Sequence, residues 1–79
     1  RGFEMKYAAI RICPSGGIVR HEDTQEVASV IVGDFDSMDD AINQACLNLS
    51  CTHLHRGVIS KGEGKGGFML VTTQDLEAA

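Results

Sequence analysis

The chain has 79 residues, 43% hydrophobic and 23% charged, with 11 acids against seven cations and a formal net charge of −4. A chain this short buries only ~60% of its unfolded surface, so it makes one domain with a small core, and its composition is that of a folded rather than a disordered protein. Several classes are excluded: no apolar run approaches the ~20 residues that span a bilayer, three cysteines without paired spacing make no secreted disulfide framework, and the acidic balance disfavours nonspecific binding to nucleic acid or an anionic membrane.

Arg1 to Glu4, ahead of Met5, reads as an expression remnant, which leaves 5–79 as a single domain of a cytoplasmic protein with reduced thiols. Met5 to Ile12 reads as a strand, because Ala8, Ile10 and Ile12 alternate with Tyr7, Ala9 and Arg11 at period two. Pro14, Ser15, Gly16 and Gly17 turn the chain, and Ile18 to His21 is expected to return as the antiparallel hairpin partner. After a loop at Glu22 to Gln25, the run from Glu26 to Phe35 is β-branched and apolar almost throughout, which suits a central strand covered at least in part on both faces.

Ser37 then has the chemistry of a helix N-cap, with Asp39 and Asp40 in the first turn where the helix dipole favours negative charge. Met38, Ala41, Ile42, Ala45, Cys46 and Leu49 follow at i, i+3, i+4, i+7, i+8 and i+11, which predicts an amphipathic helix with one apolar stripe. Its end falls within Ser50 to His53, without a glycine cap. Leu54 to Ser60 and Phe68 to Thr73 read as two further strands joined by the glycine-rich loop Lys61 to Gly67, and Gln74 to Ala79 is expected to fray. The fold class predicted is α+β, in the order β-β-β-α-β-β, with an antiparallel sheet and one amphipathic helix packed on one face.

No motif names a reaction. Cys46, Cys51, His53 and His55 are zinc-ligating types, but their C-x4-C-x-H-x-H spacing lacks a C-x2-C knuckle and Cys46 sits on the apolar stripe, so no metal is expected. Gly62, Gly64 and Gly67 match G-x-G-x-x-G literally, yet a strand follows where a nucleotide site needs a helix N-terminus. A catalytic Cys51 with His53 or His55 has no third orienting group, and a chain of this size has little room for a cleft of ~300 Å³. No catalytic residue and no cofactor are expected.

What stands out is charge segregation. Between His21 and His55 there is no Lys or Arg, while Glu22, Asp23, Glu26, Asp34, Asp36, Asp39 and Asp40 all fall there. If the loop at 22 to 26 and the helix start lie at one end of the sheet, about six carboxylates cluster there and face a basic partner. The segment Phe35 to Ala41, after strands opening at Met5, Lys6 and Tyr7, resembles the HicB-type antitoxin domain and the phage-encoded inhibitors that include anti-CRISPR proteins. The resemblance is a strand, cap and helix pattern over about half the chain; it implies an inhibitor or antitoxin-like role and carries over no functional residue.

The expected function is therefore non-enzymatic: an inhibitor or adaptor whose acidic face binds a basic protein surface, with a homodimer through an exposed strand as a further possibility. The alternative is a nucleic-acid-binding or metal-supported module that uses Arg56, Lys61 and Lys65 around the Lys61 to Gly67 loop.

Overall fold

The computed structural model describes residues 4–78, so three residues of the proposed remnant, and Ala79, lie outside the described residues. The chain forms one α+β domain in which β1 (Met5–Ile12), β2 (Ser29–Phe35), β3 (Thr52–His55), β4 (Val58–Ser60) and β5 (Gly67–Thr72) make a five-stranded sheet in the order β2-β1-β5-β4-β3. All four strand pairs are antiparallel. The main helix, α1 (Met38–Leu49), packs on one face, and a short α2 (Thr73–Ala78) continues directly from β5 and packs against β1 and β5. No described helix is long and apolar enough to cross a membrane.

β1 has the bounds its alternation predicts. It lies between β2 and β5, and Tyr7, Ala8, Ala9 and Ile10 are all buried because both of its faces are covered. Tyr7 and Ala9 join Ile59, Phe68 and Leu70 under Ala41, Ile42 and Ala45 of α1, which are the buried residues of the predicted stripe. Val30, Val32, Phe35, Cys46, Leu49 and Cys51 pack around this cluster. Small residues at Ala9, Ala41 and Ala45 let the helix backbone approach the sheet closely, so a chain this short still closes a core.

Ser37 is the N-cap as expected: its backbone is extended and its hydroxyl accepts from the Asp40 N–H at 3.2 Å. At the other end Ser50 takes the left-handed conformation, φ 55°, that glycine more often fills.

Four sequence expectations differ from the structure. Ile18 to His21 is no strand; it contributes only the bridges Ile12↔Ile18 and Arg20↔Val27, because its partners beyond β1 are the irregular residues 26–28 rather than a full ladder. The apolar run from 26 is shorter than predicted and forms the edge strand β2 rather than a central one, leaving Ile31 58% exposed. Leu54 to Ser60 splits into a hairpin, since Arg56 and Gly57 both take positive φ and turn the chain between His55 and Val58. The C-terminal segment forms α2 instead of fraying; the Thr72 hydroxyl accepts from the Asp75 N–H at 3.1 Å at its start.

Candidate interaction surface

The acidic residues occupy two places. Glu22, Asp23 and Glu26 surround a tight turn just before β2. That turn is braced from within: the Gln25 N–H donates to the His21 carbonyl and the His21 N–H to the Glu26 carbonyl, at 2.8 and 2.9 Å. The Arg20 guanidinium donates to the Gln25 carbonyl at 2.9 Å, and the Gln25 side-chain amide donates to the Glu22 carbonyl at 3.1 Å. Asp34, Asp36, Asp39 and Asp40 lie at the far end of β2 and the start of α1, and all four are exposed. Asp34 stands opposite Lys6 in the β1–β2 register.

The two groups do not share one end of the sheet. β2 runs antiparallel to β1, with Ser29 beside Ile10 and Phe35 beside Met5, so strand residues 29–33 lie between the two groups, about 17 Å at the usual rise. The expectation of a single cluster of about six carboxylates is corrected to two groups that bracket one strand. That strand is a sheet edge: among the described residues β2 pairs with β1 alone, and its outer backbone groups face away from the sheet.

The cations are also redistributed. Lys61 and Lys65 lie on the loop after β4, whereas Arg56 sits in the turn before it, so the length of β4 keeps Arg56 apart from them. A residue that sequence reasoning missed takes its place. The Arg11 guanidinium and the Lys61 ammonium lie 5.6 and 5.5 Å from the centre of the Phe68 ring, within cation–π range. Nothing local in the sequence links Arg11 to Phe68; β1–β5 pairing makes them partners.

Among the described residues no three of His, Cys, Asp and Glu gather in a way that could hold a metal ion. His53 and His55 are divided by a register shift in β3, and His53 Nε2 accepts the Gly57 N–H at 3.3 Å. A cavity of about 230 Å³ opens between the Cys13 to Gly16 turn and the 62–67 loop, and one of about 450 Å³ lies between Arg20, Glu26 and Leu76 of α2.

The three free thiols differ in character. Cys13 Sγ lies 3.0 Å from Ser15 Oγ, and hydrogen bonds from that hydroxyl and from the Gly17 and Ser15 backbone hold its pKa below the ordinary thiol value. Burial pushes Cys51 above it, reinforced by the neighbouring Cys46 and opposed by Lys61. Because the thiolate is the nucleophile, iodoacetamide at neutral pH should label Cys13 ahead of Cys51. As pH rises, the Cys13 rate should reach its plateau below the ordinary thiol pKa and the Cys51 rate above it. Peptide-resolved mass spectrometry over a pH series checks this; equal rates, or Cys51 leading, would contradict both causes.

Comparison with known proteins finds no family model, no curated protein and no solved structure that matches this chain.

Proposed function

We propose that the chain acts by binding another protein and performs no chemistry, as a small inhibitor or adaptor whose partner presents a basic, extended segment. The observation that supports this most is the free edge of β2 with carboxylates at both of its ends: Glu22, Asp23 and Glu26 before it, and Asp34 near its last residue with Asp36, Asp39 and Asp40 after it. An added strand would gain main-chain hydrogen bonds along this edge, place an apolar side chain against the exposed Ile31, and bring cations at its ends toward the two acidic groups. Many folds protect such an edge with lysine, proline or a covering loop. Here β2 carries neither Lys nor Pro. The three free thiols fit a reducing compartment such as the cytoplasm.

The test is an NMR titration with a synthetic peptide of alternating Lys and Val, repeated with Asp34, Asp36, Asp39 and Asp40 all changed to Asn. Amide shifts should concentrate in residues 29–35, and the fourfold variant should bind at least ~10-fold more weakly, about 1.4 kcal/mol, with less dependence on salt. Unchanged affinity in the variant, or shifts confined to the 61–67 loop, would sink the proposal. The same edge is where a second copy of the chain would pair, so sedimentation without peptide separates a homodimer from peptide capture.

A second reading rests on the Arg11 and Lys61 pair over Phe68, with Lys65 on the same loop, as a small basic surface for nucleic acid. Lys61→Ala combined with Lys65→Ala should abolish oligonucleotide binding if this surface is used. Binding retained by that double variant would remove this reading.

A further inference from the structure

The end of α1 brings two cysteines together through their backbones. Ser50 is left-handed, and the backbone N–H groups of Ser50 and of Cys51, the latter at 3.0 Å, both donate to the Cys46 carbonyl. Residues joined by such a 6→1 bond frequently bring their side chains into contact over the helix end. Here both members are cysteine. The path from Cα of Cys46 through its carbonyl oxygen and the 3.0 Å hydrogen bond to Cα of Cys51 limits their separation to about 7 Å, close to the outer end of the window of about 4.4–6.8 Å that disulfides occupy.

Cys46 and Cys51 both pack against the same core cluster. Each is only partly buried, so a small reagent can reach the pair. The Cys51 thiol points at the Leu49 carbonyl, 3.4 Å away, a weak contact that is readily given up. Cys46 is close enough to bear on the Cys51 titration, and Lys61 supplies a positive charge on that side that favours an approaching anionic disulfide.

We propose that Cys46 and Cys51 form a reversible dithiol–disulfide site, closed by exchange with a small disulfide such as oxidised glutathione. One cysteine thiolate attacks the glutathione disulfide, forming a mixed disulfide and releasing one glutathione thiolate. The other protein thiolate then attacks the protein sulfur of that mixed bond and releases the second glutathione. Two protein thiols are oxidised to one disulfide, one glutathione disulfide is reduced to two thiols, and the two cysteine protons pass to the glutathione thiolates. The closed bond staples the end of α1 to the start of β3, next to the β3–β4 hairpin. Cys13, on the turn after β1, takes no part in it.

The experiment incubates the folded full chain with excess oxidised glutathione, quenches with acid, blocks remaining thiols with N-ethylmaleimide and maps the peptides. The expected product is a Cys46–Cys51 peptide lighter by two hydrogens and free of maleimide, restored by dithiothreitol. Its melting temperature should rise by about 5 °C or more, as a cross-link that restricts the unfolded chain requires. The product should form equally in Cys13→Ser. Maleimide on both Cys46 and Cys51, a glutathione adduct that persists on either one, or a disulfide that includes Cys13 would each overturn the assignment.

Discussion

Gly67→Ala should be among the most damaging additions of a single methyl group to this chain. Gly67 opens β5 and is buried between two strands, paired with Ile12 of β1 and with Ser60 of β4. A Cβ at this position would run into the Ile59 carbonyl and crowd Cα of Ser60. These are backbone atoms of a paired strand, so no side-chain rotation relieves the clash, and β4 must shift out of register or the sheet must open. Overpacking of this severity costs upwards of ~3 kcal/mol, against a total stability on the order of 4–12 kcal/mol for a chain this long. A thermal melt followed by circular dichroism should show a midpoint lower by more than about 12 °C, or no cooperative transition. Gly64→Ala is the control on the same loop. Gly64 has φ 74° but open space around it, so alanine there costs only the left-handed penalty of about 1 kcal/mol. If the two variants melt together, the β4–β5 register described above is wrong. The clash also gives Gly67 a structural reason that owes nothing to nucleotide binding, although it completes a literal G-x-G-x-x-G.

Phe68→Ala should be nearly as severe, for the opposite physical reason. Phe68 is 3% exposed and belongs to the cluster beneath α1, so truncation leaves a cavity between the sheet and its neighbours. Such changes cost about 3–5 kcal/mol, or a midpoint lower by more than about 12 °C. Phe68→Leu keeps most of the volume and should lose far less through packing. It does remove the aromatic face over which Arg11 and Lys61 lie, a contribution of about 0.5–1 kcal/mol for an exposed cation. The order expected in denaturant midpoints is therefore wild type, Phe68→Leu, then Phe68→Ala by a wide margin. A Phe68→Ala protein that melts within a few degrees of wild type would show that the core does not depend on this ring.

The two substitutions lie on neighbouring residues of one strand, and the sequence foretold them unequally. An apolar β5 beginning near Phe68 was legible from its composition, and so was the role of α1 as its cover, from the spacing of Ala41, Ile42 and Ala45. That Gly67 must be glycine was not legible, because the obstructing carbonyl belongs to Ile59 on another strand. The same division runs through the candidate surface. All seven acids are evident in the sequence as one uninterrupted stretch; their separation into two groups follows from the antiparallel course of β2, which carries residue 29 to one end of β1 and residue 35 to the other. Arg56 looked like a companion of Lys61 and Lys65 because it is near them in sequence, yet the short hairpin of β3 and β4 sends it to the opposite end of β4, while Arg11 arrives from the far side of the chain.

By itself the sequence determined whatever depends on a few consecutive residues: the extent of β1, the Ser37 cap, the apolar face of α1, the turn-rich character of 61–67 and the α+β class. These follow from side-chain periodicity, caps and turn propensities, which act over one or two turns of chain. The tertiary structure alone decided the order β2-β1-β5-β4-β3, and with it which strand is buried on both faces. The Val27 to Val32 run is the more apolar and β-branched, and by composition it should be central; Tyr7 to Ile10 is central instead, because β5 returns from the other end of the chain to pair with β1 and leaves β2 outermost. Strand propensity says that a segment will join a sheet, whereas its neighbours are chosen by the fit of whole faces against one helix, and that fit is a property of the assembled sheet rather than of any segment in it.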